Sequence, residues 1–156
     1  MTGDIPPEPD GREAQKVLKF PLIHPPLLAA LGAAGHGARV LLADSNYSHS
    51  TNIHPGAALI HLNLRPGLVT VEDVLEPVLA SVPLEAVAVM RPDDGSTPPV
   101  FSRYEELLGP DLPLQPLDRH DFYAACREPT LAACVATGDS KLYANILLTI
   151  GYIRPE

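Results

Sequence analysis

An imidazole, a carboxylate and two neutral hydrogen-bonding side chains stand in this chain where they could move protons on a polyhydroxylated ligand. His36 lies between Gly35 and Gly37, Asp44 follows eight residues on, and Tyr143-Ala144-Asn145 comes near the C-terminus. Histidine, with an unperturbed pKa of about 6.5, can give and take a proton near neutrality. Its flanking glycines allow a sharp turn that would hold the ring in the open. The plainer alternative is a histidine that helps finish a preceding helix. Asp44 closes an apolar run and opens the polar stretch Ser45-Asn46-Tyr47-Ser48-His49. Strand ends of this kind carry ligand groups in layered α/β domains; an Asx turn leaving the strand is the competing account.

A distance constrains the pair. With residues 38–43 extended, His36 and Asp44 stand on the order of 20 Å apart, at roughly 3.3 Å per residue. One small ligand can hardly touch both within a single chain. The simplest resolution is a second copy completing the site, so an oligomer with clefts at its interfaces is expected.

Other chemistries fare worse. His49, His54 and His61 bracket one loop and strand, but no helix aligns them and neither H-E-x-x-H nor C-x-x-C occurs, so no metal is expected. Thr137-Gly138-Asp139-Ser140 has one glycine beside an aspartate, which suits a turn better than an anion nest. No G-x-S-x-G marks a serine nucleophile.

The elements that must position these residues alternate along the chain. Pro25 and Pro26 suit the first turn of a helix that carries Leu27, Leu28 and Leu31 and stops at Gly35. Arg39 to Ala43 and Ala58 to Leu62 read as short strands. Between them, residues 44–56 are polar or turn-forming, long enough to suggest a ligand loop. Thr70 and Asp73 announce a helix whose stripe is Val71, Val74, Leu75, Val78 and Leu79, with Pro77 expected to kink it or end it early. Glu85 to Met90 is a strand, 91–99 a loop, and Val100 to Leu108 a helix. Asp118 to Arg127 is a helix, and Leu131 to Ala136 and Tyr143 to Ile150 are strands. Alternating helices and strands argue a layered α/β domain around a largely buried sheet.

The composition agrees. The 156 residues fit one domain, and 46% hydrophobic with 19% charged residues fits a globular one. Residues 1–16 are polar, acidic and proline-rich and read as a flexible tail, leaving 17–156 as the domain. A formal charge of −8 would repel a phosphate backbone, so nucleic acid is not an expected partner. No apolar run approaches the roughly 20 residues of a membrane span, and no signal peptide is visible, so a cytoplasmic protein is expected. Cys126 and Cys134 sit in apolar stretches and read as buried thiols.

Leu31 to Asp44, LGAAGHGARVLLAD, together with Ala136 to Gly151, ATGDSKLYANILLTIG, resembles the ribose pyranase/fucose mutarotase (RbsD/FucU) family. Arg119-His120-Asp121-Phe122-Tyr123 is similar to the fucose mutarotase side, and the likeness spans essentially residues 17–153. It implies a single three-layer α/β/α domain with a central mixed sheet, and a mutarotase or pyranase that interconverts anomers or ring forms of a free monosaccharide, L-fucose or a related sugar, without a cofactor. It further implies a homo-oligomer, often a decameric ring, with sites at subunit contacts. By motif position the resemblance makes His36 the catalytic histidine, Asp44 and Arg119 substrate-binding residues, and Tyr143 and Asn145 the segment that contacts the sugar. Ala144 stands where the family usually has glycine, and the loop after Asp44 and the acidic N-terminal segment also depart from the pattern. The competing expectations are a D-ribose pyranase, a non-catalytic sugar-binding accessory protein and a metal-dependent isomerase using the histidine-rich loop.

Overall fold

The computed structural model describes residues 17–156; the segment 1–16 expected to be a tail lies outside the described residues. In chain order the elements are α1 (Pro25–Ala33), β1 (Arg39–Ala43), β2 (Ala58–Leu62), α2 (Val71–Leu79), β3 (Leu84–Met90), α3 (Val100–Leu108), β4 (Leu114–Leu117), α4 (Arg119–Arg127), β5 (Leu131–Thr137) and β6 (Ile146–Ile150). The strands form one sheet in the order β2-β5-β1-β6-β3-β4. β1, β2 and β5 run parallel, β3 and β4 run parallel, and β6 lies antiparallel between β1 and β3. Every strand except β6 therefore points the same way.

Side chains alternate across this sheet as the two-residue period of a strand requires. Val40 and Leu42 of β1, Val87 and Val89 of β3, and Ile146 and Leu148 of β6 share one core with Leu27 of α1, Val74 and Val78 of α2, and Phe101 and Tyr104 of α3. Leu41, Ala43, Ala88, Met90 and Leu147 turn to the opposite face and pack with Tyr47 and with Phe122 and Cys126 of α4. Helices thus cover both faces of a mixed sheet, the three-layer architecture expected from the sequence.

Local chemistry explains the boundaries. At the start of α2, Thr70 Oγ1 accepts from the Asp73 N–H at 3.1 Å and Asp73 Oδ2 accepts from the Thr70 N–H at 2.9 Å, a reciprocal capping box. Pro77 lies inside α2, which closes two residues later at Leu79. Both cysteines are free and buried. Burial pushes their thiols up, Cys126 to about 11 and Cys134 to about 12.

Two expectations need correction, and one strand was missed. α1 does not run to Gly35: it ends at Ala33, and extended Ala34 closes the last turn through its N–H to the Ala30 and Leu31 carbonyls. The left-handed position is Gly37, at φ 83°, on the far side of His36. β6 begins at Ile146 rather than Tyr143, because Tyr143 adopts a φ of 58° that no strand accommodates. β4 was not anticipated, since Leu114-Gln115-Pro116-Leu117 carries a proline; it is tolerated because β4 is an edge strand.

Candidate functional site

With the strands other than β6 aligned, the loops leaving β1, β3, β4 and β5 and the one entering β6 emerge at the same end of the sheet. That end collects four of the five residues expected to form the site. Asp44 follows β1, Arg119 opens α4 directly after β4, and Tyr143 and Asn145 precede β6. They line one open cavity of about 250 Å³, with Tyr47, Tyr123 and Met90 supplying apolar walls. The volume lies just under the range of about 300–1,000 Å³ typical of drug-sized ligands and suits a single small ring.

Asp44 is 3% exposed. Burial pushes its carboxyl above the ordinary carboxylate range; backbone N–H groups of Asn46, Ala144 and Tyr47 pull it back, and the Asp139 charge adds to the rise. The Asn46 N–H donates to Asp44 Oδ1 at 3.0 Å, so the Asx turn considered from the sequence does form, on a residue that also lines the cavity. Asn145 is 4% exposed, and its Oδ1 accepts the Asp44 backbone N–H at 2.8 Å. That bond fixes the amide orientation. The Asn145 NH₂ makes no hydrogen bond among the described residues, and the residue lines the cavity.

Tyr143 holds its left-handed backbone because its neighbours are anchored. Ala144 is fully buried, and Tyr104 donates its hydroxyl proton to the Ala144 carbonyl at 2.5 Å. Alanine fits here because the fold buries its methyl and needs no left-handed φ from it. Arg119 is half exposed, and its Nη2 donates to Asp93 Oδ2 at 2.6 Å across the loop after β3. Asp93, Tyr47 and Tyr123 were not singled out from the sequence. Tyr123 was legible in the Arg119–Tyr123 string and Tyr47 in the polar loop; Asp93 carried no signal beyond its loop.

His36 is not in this cavity. It lies beyond the opposite end of β1, where its Nε2–H donates to Glu85 Oε2 at 2.7 Å and its ring meets Tyr152 edge-on, centroids 5.0 Å apart. The imidazole is about half exposed, so it is neither a helix cap nor a core residue. Glu85, unremarked in the sequence, fixes its orientation. His36 and Asp44 thus stand at opposite ends of β1.

Of the histidine-rich loop, His49 and His61 face each other edge-on at 5.7 Å between ring centroids, and His54 does not join them. Among the described residues, no three His, Cys, Asp or Glu side chains are grouped to hold a metal ion. Nor is any helix among them long and apolar enough to cross a membrane.

Comparison with known proteins gives a consistent result. The family model described as the RbsD / FucU transport protein family matches residues 18–153. A fucose mutarotase of Danio rerio is 33% identical over 147 residues, covering 86% of this chain and 92% of that relative. One of Mus musculus is 34% identical over 143 residues, covering 83% and 90%. Among solved structures, the fucose mutarotase from Streptococcus pneumoniae in complex with L-fucose superposes with a TM-score of 0.73 at 29% identity, covering 88% of this chain and all of that one.

Proposed function

This chain belongs to the RbsD/FucU family, and from that premise we propose that it is a monosaccharide mutarotase or pyranase acting on L-fucose or a closely related sugar, D-ribose included. The observation that carries the reading is the convergence of Asp44, Arg119, Tyr143 and Asn145 on one sugar-sized cavity, in a chain similar to proteins named fucose mutarotase. An acceptor carboxylate, an amide held with its NH₂ outward, a phenol and a guanidinium are the groups that recognise ring hydroxyls.

Exchange of anomers needs a proton delivered to the ring oxygen and another removed from the anomeric hydroxyl. The ring opens to the aldehyde, the carbonyl turns over, and closure reverses both transfers. In this reading His36 of a neighbouring copy supplies the proton relay. Asp44, Tyr143 and Asn145 hold hydroxyls, and Arg119, already oriented by Asp93, fixes the ring. Positioned acid/base groups contribute on the order of 10²–10⁴-fold in rate. The exposed position of His36 beside Glu85 and Tyr152 supports its presentation to another copy. Head-to-tail contacts between the two ends of the sheet close into rings, a decamer being the family's expected form. The two buried reduced thiols accord with a cytoplasmic setting.

Saturation-transfer NMR on L-fucose and D-ribose tests the proposal, because it reads exchange at equilibrium and separates the two sugars. Accelerated exchange of either supports it. Binding without acceleration would favour a non-catalytic sugar-binding protein instead.

A further inference from the structure

The turn Thr137-Gly138-Asp139-Ser140 contains a carboxylate that the proposed chemistry does not use. Asp139 is 1% exposed. Its Oδ1 accepts from the Lys141 backbone N–H at 2.9 Å, and its Oδ2 from the N–H of Val71, first residue of α2, at 2.9 Å. The Lys141 ammonium adds a third donor at 3.0 Å and reaches on to Glu72 at 3.5 Å. A solvated turn needs none of this. A carboxylate taken out of water costs free energy unless donors replace the water, and here they do.

What Asp139 holds is more telling than how it is held. Its backbone carbonyl accepts from the Ser45 N–H at 2.8 Å. Its own N–H donates to Thr137 Oγ1 at 3.2 Å, and that hydroxyl donates to the Ala43 carbonyl at 2.7 Å. Ala43 and Ser45 flank Asp44. Lys141, bound twice to the same carboxylate, stands two residues before Tyr143. The turn is seated against the Arg65–Leu68 loop so closely that a Cβ on Gly138 would lie 2.0 Å from the Leu68 carbonyl oxygen. Residue 139 therefore joins the two sides: its backbone, with the Thr137 hydroxyl, holds the residues flanking Asp44, and its carboxylate holds Lys141 in the lead-in of the Tyr143–Asn145 segment.

We infer that Asp139 is a positioning residue that sets the Asp44 carboxylate and the Tyr143–Asn145 segment in register across the cavity. This rests on the reading of that cavity as the sugar site. Asp139 does not line the cavity. It acts through the backbone on both walls.

The test is Asp139→Asn in the full chain, assayed by L-fucose exchange and by backbone amide NMR. An amide has one acceptor oxygen, so either Val71 or Lys141 then meets a donor. The expected result is a rise in KM of about tenfold with kcat changed by less than about twofold, since a displaced binding wall loses affinity before it loses the proton relay. Amide shifts should concentrate at Ser45, Asn46 and Tyr143 to Asn145. Unchanged KM with unmoved amides there overturns the inference, as does an equal loss of kcat and kcat/KM with shifts spread through the domain. Should Asp139→Asn not fold, Thr137→Val carries the same readouts, with a KM rise of about threefold expected from the loss of two hydrogen bonds. Wild-type protein that neither binds nor exchanges L-fucose or D-ribose refutes the sugar reading; the positioning role is then decided by the amide shifts alone.

Discussion

Replacing Asn145 by alanine separates the structural bond its side chain makes from the sugar contact proposed for it. The Asn145 oxygen is the acceptor for the Asp44 backbone N–H at 2.8 Å, and both residues are buried. Truncation leaves that N–H without a partner, which costs about 1–3 kcal/mol of folding stability. For a domain of this size each kcal/mol moves the melting temperature by about 2–4 °C, so a fall of about 2–12 °C is expected. The NH₂, which has no partner among the described residues on this cavity-lining side chain, is lost as well. One neutral hydrogen bond to a ligand hydroxyl is worth about 0.5–1.5 kcal/mol, which converts to a two- to thirteen-fold weaker sugar affinity. Differential scanning fluorimetry reads the first effect, and titration of L-fucose followed by NMR reads the second. A variant that melts with the wild type would show that Asn145 does not hold Asp44 in the cavity wall. A variant that melts earlier but binds L-fucose equally well would leave the wall intact and remove Asn145 from the ligand.

Two further substitutions probe the same end of the sheet. Asp44→Asn should raise stability at pH 7 while abolishing most sugar binding: burial lifts the Asp44 carboxyl, so its stabilising contribution is full below the ordinary carboxylate pKa and is lost as pH rises through the elevated one. The gap in melting temperature between variant and wild type should accordingly close in acid, and a gap that widens there refutes the assignment. Gly138→Ala should destabilise the domain by about 1–3 kcal/mol or more, because the atoms its Cβ meets at 2.0 and 2.5 Å are backbone oxygens that cannot swing aside; chemical denaturation measures it, and an unchanged midpoint refutes the close approach.

How far the sequence reveals this molecule depends on the kind of signal. Thr70 and Asp73 announced α2 because a capping box is local chemistry, and β1 was visible because both its faces are buried. β4 escaped notice because Pro116 argues against a strand until its edge position is known. Tyr143 to Asn145 looked like strand because they precede an apolar run; the left-handed Tyr143 depends on Tyr104 gripping the next carbonyl, a contact 40 residues away in sequence. Candidate ligand groups were legible as residue types at loop starts. Their partners were not: Glu85, Asp93 and Asp139 are charged residues, which by default lie in solvent, and only tertiary placement turns Asp139 into a buried anchor. That His36 and Asp44 sit at opposite ends of β1 was readable because the apolar run between them announced a strand.

In the proposed mechanism His36 of one copy serves the Asp44 cavity of another. His36→Ala and Asp44→Asn protein, each inactive alone, should be unfolded together, refolded as a mixture and assayed for L-fucose exchange. In a head-to-tail ring assembled at random from equal amounts, a site is intact when one contributor keeps His36 and its neighbour keeps Asp44, about one site in four. Recovery of about a quarter of the wild-type rate is the predicted result. A mixed oligomer that stays as inactive as its parents would contradict the account.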